Sequence, residues 1–119
     1  MKSTWRIVVV VALLLAAVPA SQAEEMTWTG EVLDLACYTA KGAKGADHAG
    51  CAKSCVKGGQ PMGLLTDDGT VLLLAANHED GAPYEALKDM AGGMAEITGE
   101  LAERDGMKVV SVTGSKAGG

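Results

Sequence analysis

Polar and apolar positions alternate along "MTWTGEV", with Trp28, Gly30 and Val32 on one side and Thr27, Thr29 and Glu31 on the other. The pattern turns apolar at Leu33 and Leu35, so a strand over Met26–Ala36 is predicted to end in a buried stretch. Residues Lys41–Gly50 hold three Gly, two Lys and one Asp and read as a flexible loop. His48–Lys57 reads as a short helix stopped by Gly58-Gly59. In "MGLLTDDGTVLLLA" two apolar runs flank Asp67-Asp68-Gly69, a hairpin signal. Pro83 opens a helix of roughly two turns that carries Tyr84, Leu87 and Met90 and stops at Gly92-Gly93. A second hairpin turns at Arg104-Asp105-Gly106. Its first strand alternates Ala95, Ile97 and Gly99 with Glu96, Thr98 and Glu100, which implies one wet face.

The predicted order has five strands, with a Cys-bearing helix after the first and another helix between the third and fourth. That order matches a mainly β, small five-stranded OB-like barrel. Gly30 and Gly99, inside strand patterns, mark where such a barrel bends sharply. A ferredoxin-like sandwich fits less well, because it needs two long amphipathic helices. Ser115–Gly119 reads as a disordered tail, leaving residues 24–114 as a single domain.

The first 23 residues change the picture of where this domain works. Lys2 and Arg6 precede a 12-residue apolar run, Ile7–Val18, and Ser21-Gln22-Ala23 places small residues before Glu24. That is the form of a cleaved secretory signal over residues 1–23. The run is short of the roughly 17–25 residues a membrane span needs. The expected product is periplasmic or secreted and not membrane-embedded. It keeps 8 basic residues against 15 acidic ones. Such an acidic chain lacks the electrostatic footprint of a nucleic-acid binder. With Trp28, Tyr38 and Tyr84 its only aromatics, the core is modest, and a covalent or metal staple would help it.

All three cysteines lie in "CYTAKGAKGADHAGCAKSC", together with one of the two histidines. His48, Cys51 and Cys55 are spaced i, i+3, i+7 and share one face of a helix. With Cys37, expected at the end of the first strand, they form a Cys3His ligand set suited to Zn(II); three thiolates alone suit Cu(I). Asp34 and Tyr38, flanking Cys37, are candidates to support those ligands. Helical i, i+4 Cβ atoms stand about 5–6 Å apart, too far for a Cys51–Cys55 disulfide. A Cys37 disulfide to either one, with a spare thiol, is the competing reading, since exported compartments oxidise thiols. A plain apolar stripe is a third. Haem attachment needs C-x-x-C-H, and "CAKSC" is followed by Val56; no nucleotide motif is present. No Ser/His/Asp set or paired carboxylates stand at catalytic spacing, so an enzyme is not expected. His78-Glu79-Asp80 reads as a solvated loop and the scattered Met residues as core filling.

Together "GEVLDLACY", "HAGCAKSC", "GGQPMGLLTDDGTVLLL" and "ITGELAERDGMKVVSV" resemble a family of small exported bacterial OB-fold-like proteins of uncharacterised function. The resemblance rests on D-x-x-C-Y, H-x-x-C-A-x-x-C and G-x-P-x-G-L-L. It implies that Gly30, Asp34, Cys37, Tyr38, His48, Cys51, Cys55, Gly59, Pro61 and Gly63 form a recurrent pattern, and assigns none of them a role. The expected function is an exported binding module with a Cys/His site for a Zn or Cu ion, structural or metal-carrying. The alternative is a metal-free interaction domain, stapled by a Cys37 disulfide, that binds a periplasmic partner protein.

Overall fold

A computed structural model describes residues 24–118. The expected signal peptide, residues 1–23, lies outside the described residues. The elements run β1 (Glu25–Asp34), α1 (Leu35–Lys41), a 3-10 turn (Ala46–His48), α2 (Ala49–Lys57), β2 (Met62–Thr66), β3 (Val71–Ala76), α3 (Ala82–Leu87), a second 3-10 turn (Lys88–Met90), β4 (Met94–Arg104) and β5 (Met107–Ala117). The strands close into a barrel in the order β1-β2-β3-β5-β4. Only β3 and β5 run parallel; β1 pairs with β2 and β4, β2 with β3, and β4 with β5, all antiparallel. This is the partly Greek-key connectivity of an OB-type barrel, with α3 filling the β3–β4 crossover.

Alternation explains what fills the barrel. Val32, Leu64, Leu72, Leu74, Ile97, Val110 and Val112 point inward and are buried, while their sequence neighbours are mostly less buried. Helix α2 adds Ala52 and Val56, one turn apart, and α3 adds Leu87. Trp28 and Leu101 pack at the edge of this core. Gly30 and Gly99 stand where neighbouring backbones come close. A Cβ on Gly99 would meet the Ser111 carbonyl, and the β4–β5 register shifts there, between Thr98 and Gly99. A bulge of this kind bends a strand and tightens a small barrel.

Three expectations need correction. Cys37 is not at a strand end but in the first turn of α1. The strand stops at Asp34 because its side chain caps the helix: Oδ1 accepts the N–H of Ala36 at 3.0 Å and of Cys37 at 3.4 Å. Residues 41–50 are more ordered than a loop. Gly42 ends α1 in the left-handed conformation, the Gly45 N–H donates to Glu31 on β1 at 2.8 Å, and a 3-10 turn ends at His48, so α2 begins one residue later than predicted. Nor does the chain fray at Ser115. Strand β5 continues to Ala117, opposite Ala95, and the Gly118 N–H donates to the Met94 carbonyl at 2.9 Å. Pairing along the full length of β4 holds those residues in the sheet.

Candidate metal centre

The end of β1, the start of α1 and the start of α2 meet at one end of the barrel. The Leu35 N–H donates to the Pro61 carbonyl at 3.0 Å, which fixes the β1–α1 corner against the start of β2. On the other side Gly92 packs directly on Ala49 at the start of α2, its N–H donating to the Val32 carbonyl at 2.8 Å. Gly92 has φ +82°, and a Cβ there would lie 2.6 Å from the Ala49 Cβ. Only glycine allows β1, the pre-β4 loop and α2 to approach this closely.

Asp34, Cys37 and His48 are brought together there. Their potential ligand atoms, one from each residue, all lie within 4.8 Å of one another. Asp34 is 1% exposed, and among the described residues it is the buried charged side chain. Its Oδ1 serves the α1 cap, but Oδ2 is buried with no hydrogen-bond partner. Nε2 of His48 is buried and unpartnered as well. Among the described residues no Lys or Arg forms an ion pair with Asp34. A buried carboxylate and imidazole left this way carry a desolvation cost of about 1–3 kcal/mol per unsatisfied atom. Native proteins rarely retain such atoms without a bound water or ion, or a function.

The other two thiols adjoin this trio. Cys51 and Cys55 lie one turn apart on α2, each one residue before the buried Ala52 and Val56. The thiol stripe therefore runs along the water edge of the apolar stripe. Cys55 is half-buried, as is Cys37, while Cys51 is exposed. All three are free thiols in this structure.

Charge ties the group together. Burial pushes the Asp34 carboxyl up, but the nearby Cys37 and Cys55 thiols and the Cys37 and Ala36 N–H groups outweigh it and hold the group below the usual carboxylate value. Neither thiol closes a hydrogen bond to Oδ2. The Cys37 thiol is raised, first by its interaction with the Asp34 carboxylate and then by burial and by the charges of Asp34 and Cys51, with Lys41 opposing. The Cys55 thiol is pushed up to about 11, mainly by burial and then by Asp34 and Cys51. Both thiols are thus poor nucleophiles and hold their protons at neutral pH, so a metal ion would have to displace those protons on binding.

Of the residues predicted for a metal, Cys37 and His48 are in the tight trio, and Cys51 and Cys55 flank it. Asp34, expected only to support the ligands, contributes an oxygen of its own. Tyr38 lies on α1 with its carbonyl capping the helix end, and is half-buried. Asp34 was legible as more than support: an Asp directly before an apolar helical run reads as an N-cap, which aims a carboxylate at the first turn and so at Cys37.

A cleft of about 500 Å³ lies at the other end of the barrel. It is lined by residues including Trp28, Thr66, Asp68 and Lys108 and has no Cys or His. Asp68 there is already engaged by the Thr66 hydroxyl and the Thr70 N–H. Ligand chemistry is concentrated at the thiol end. No family model, curated protein or solved structure matches this chain.

Proposed function

We propose that this protein is an exported metal-binding module whose site is formed by Asp34, Cys37 and His48, completed by a thiol of α2. One observation carries the reading: Asp34 Oδ2 and His48 Nε2 are both buried without a partner, and their two residues, with Cys37, bring ligand atoms within 4.8 Å of one another. A divalent cation would satisfy both atoms at once and offset the buried negative charge.

The donor set favours zinc over copper. Zn(II) accepts carboxylate oxygen, imidazole nitrogen and thiolate sulfur in one tetrahedral site. Cu(I) prefers sulfur and gains little from a carboxylate. An ion here would also tie β1, α1 and α2 together in a domain with a modest core, a stabilising role such small folds commonly need. The 12-residue apolar run behind Lys2 and Arg6 supports export. Among the described residues no helix is long and apolar enough to cross a membrane.

The test is to purify the protein without chelator, measure metal by elemental analysis, and titrate thiols under denaturing conditions. One zinc per chain with three reactive thiols is expected. A single reactive thiol and no metal would overturn the reading in favour of a disulfide-stapled interaction domain. His48→Ala is expected to weaken zinc binding by at least about tenfold, and an unchanged affinity would remove His48 from the site.

A further inference from the structure

The segment that carries the thiols is basic in a chain that is otherwise acidic, although Asp34, Glu31 and Asp89 pack against it. Residues 35–60 contain Lys41, Lys44, Lys53 and Lys57 against Asp47 alone. The rest of residues 24–119 contains four basic and 14 acidic side chains. Lys57 is neutralised by Asp89 at 2.6 Å. Lys41 and Lys44 are exposed, Lys53 is half-buried, and the Lys41 charge reaches the Cys37 thiol. The ligand residues grade from buried to open. Asp34 is buried, Cys37, His48 and Cys55 are half-buried, and Cys51 is exposed one turn from Cys55.

Resting on the zinc reading above, we propose that Cys51 is the exchange ligand of this site, passing the metal ion to and from an anionic thiolate drawn by Lys41, Lys44 and Lys53. A site meant only to staple the fold gains nothing from an exposed third thiol beside the ligand trio. A site that releases its ion needs such an outer ligand, because moving the ion by successive ligand substitution avoids leaving it bare. In the outward step Cys51 would give its proton to solvent as a metal–Sγ bond to it replaced one interior bond. Incoming thiolates and water would replace the remaining interior bonds in turn, with the freed Cys37 thiolate taking up a proton. The Cys51 bond would break last as a further metal–sulfur bond formed, Cys51 taking up a proton as it left, and no electrons would change hands. The lysines raise the local concentration of anionic acceptors, as basic patches do for anionic ligands generally.

The proposal is tested on the zinc-loaded protein by following zinc loss to an excess of chromogenic chelator with different thiols added at matched thiolate concentration. Glutathione, which is anionic, is expected to accelerate release about tenfold more than cationic cysteamine at low salt. The difference should collapse near 1 M salt, where the Debye length is about 3 Å. Lys41→Glu combined with Lys44→Glu should keep one zinc per chain and abolish or reverse the preference. Cys51→Ser should leave release independent of either thiol. An acidic dithiol peptide forms a third arm: outpacing glutathione identifies a protein surface as the acceptor, and trailing it identifies a small thiol. Equal acceleration by all three, or full thiol acceleration in Cys51→Ser, overturns the proposal while leaving the zinc site intact. A wild-type chain that takes up no zinc removes both.

Discussion

Asp34 and His48, 14 residues apart with α1 between them in sequence, each bury a polar atom with no hydrogen-bond partner, and both belong to one group of metal-capable residues. Asp34 also caps α1 through its other oxygen, so a single carboxylate sets the helix and faces the candidate centre.

That dual role separates two substitutions. Asp34→Asn keeps an N-cap oxygen and removes the charge, so the metal-free protein should lose little stability while zinc affinity falls at least about tenfold. Asp34→Ala should also cost the metal-free protein about 1 kcal/mol through loss of the cap. Chemical denaturation with and without zinc distinguishes them. Equal zinc affinity in wild type and Asp34→Asn would take the carboxylate out of the site.

Zinc should stabilise the fold by mass action. With free zinc at about 100 times its dissociation constant, the gain is about 2.7 kcal/mol. For a domain of this size each kcal/mol moves the melting temperature by about 4–8 °C. Thermal melts should therefore rise by roughly 10–20 °C on adding zinc and return on adding chelator. A melting curve indifferent to both would contradict a resident ion.

Zinc affinity should rise with pH. The Cys37 and Cys55 thiols sit above their ordinary value, so both are protonated across pH 6–8 and must lose a proton to bind metal. Groups protonated in the free state and deprotonated in the bound state make affinity increase with pH, here by up to about a hundredfold per unit if both thiolates bind. Isothermal titration in buffers of different ionisation enthalpy measures the protons released. Release of none would show that neither thiol ligates.

Gly92→Ala should damage the centre from outside it. The new Cβ would press on Ala49 at a backbone angle that disfavours side chains, displacing the start of α2 and with it His48. A loss of about 1–3 kcal/mol is expected together with weaker zinc binding. Gly69→Ala provides the control. It has a similar φ of +82° with open space around it, so it should cost stability and leave zinc affinity alone.

Much of the fold was written locally. Alternation in β1 and β4, the Asp-Gly turns and the Pro83 helix start depend on neighbours a few residues apart, and each appears where the pattern places it. Helical spacing likewise puts Cys51 and Cys55 one turn apart on α2, but His48, ahead of that helix, groups with Asp34 and Cys37 instead. Elements stabilised by distant partners were not legible. Ser115–Ala117 look like a tail in isolation and become strand because β4 is long enough to pair with them. Residues 41–50 look mobile until Glu31, on β1, takes the Gly45 N–H.

The amino-acid order by itself determined which residue types could bind a metal and that they would lie near one another in the chain. Only the tertiary structure decided which of them converge. Burial at the β1–α1 corner strips Asp34 Oδ2 and His48 Nε2 of water and leaves both without a partner. The same packing leaves Cys51 in solvent, because it falls on the outer edge of α2. Desolvation is a property of the packed corner, created by Gly92, Pro61 and the barrel end together, and no spacing of residues along the chain encodes it alone.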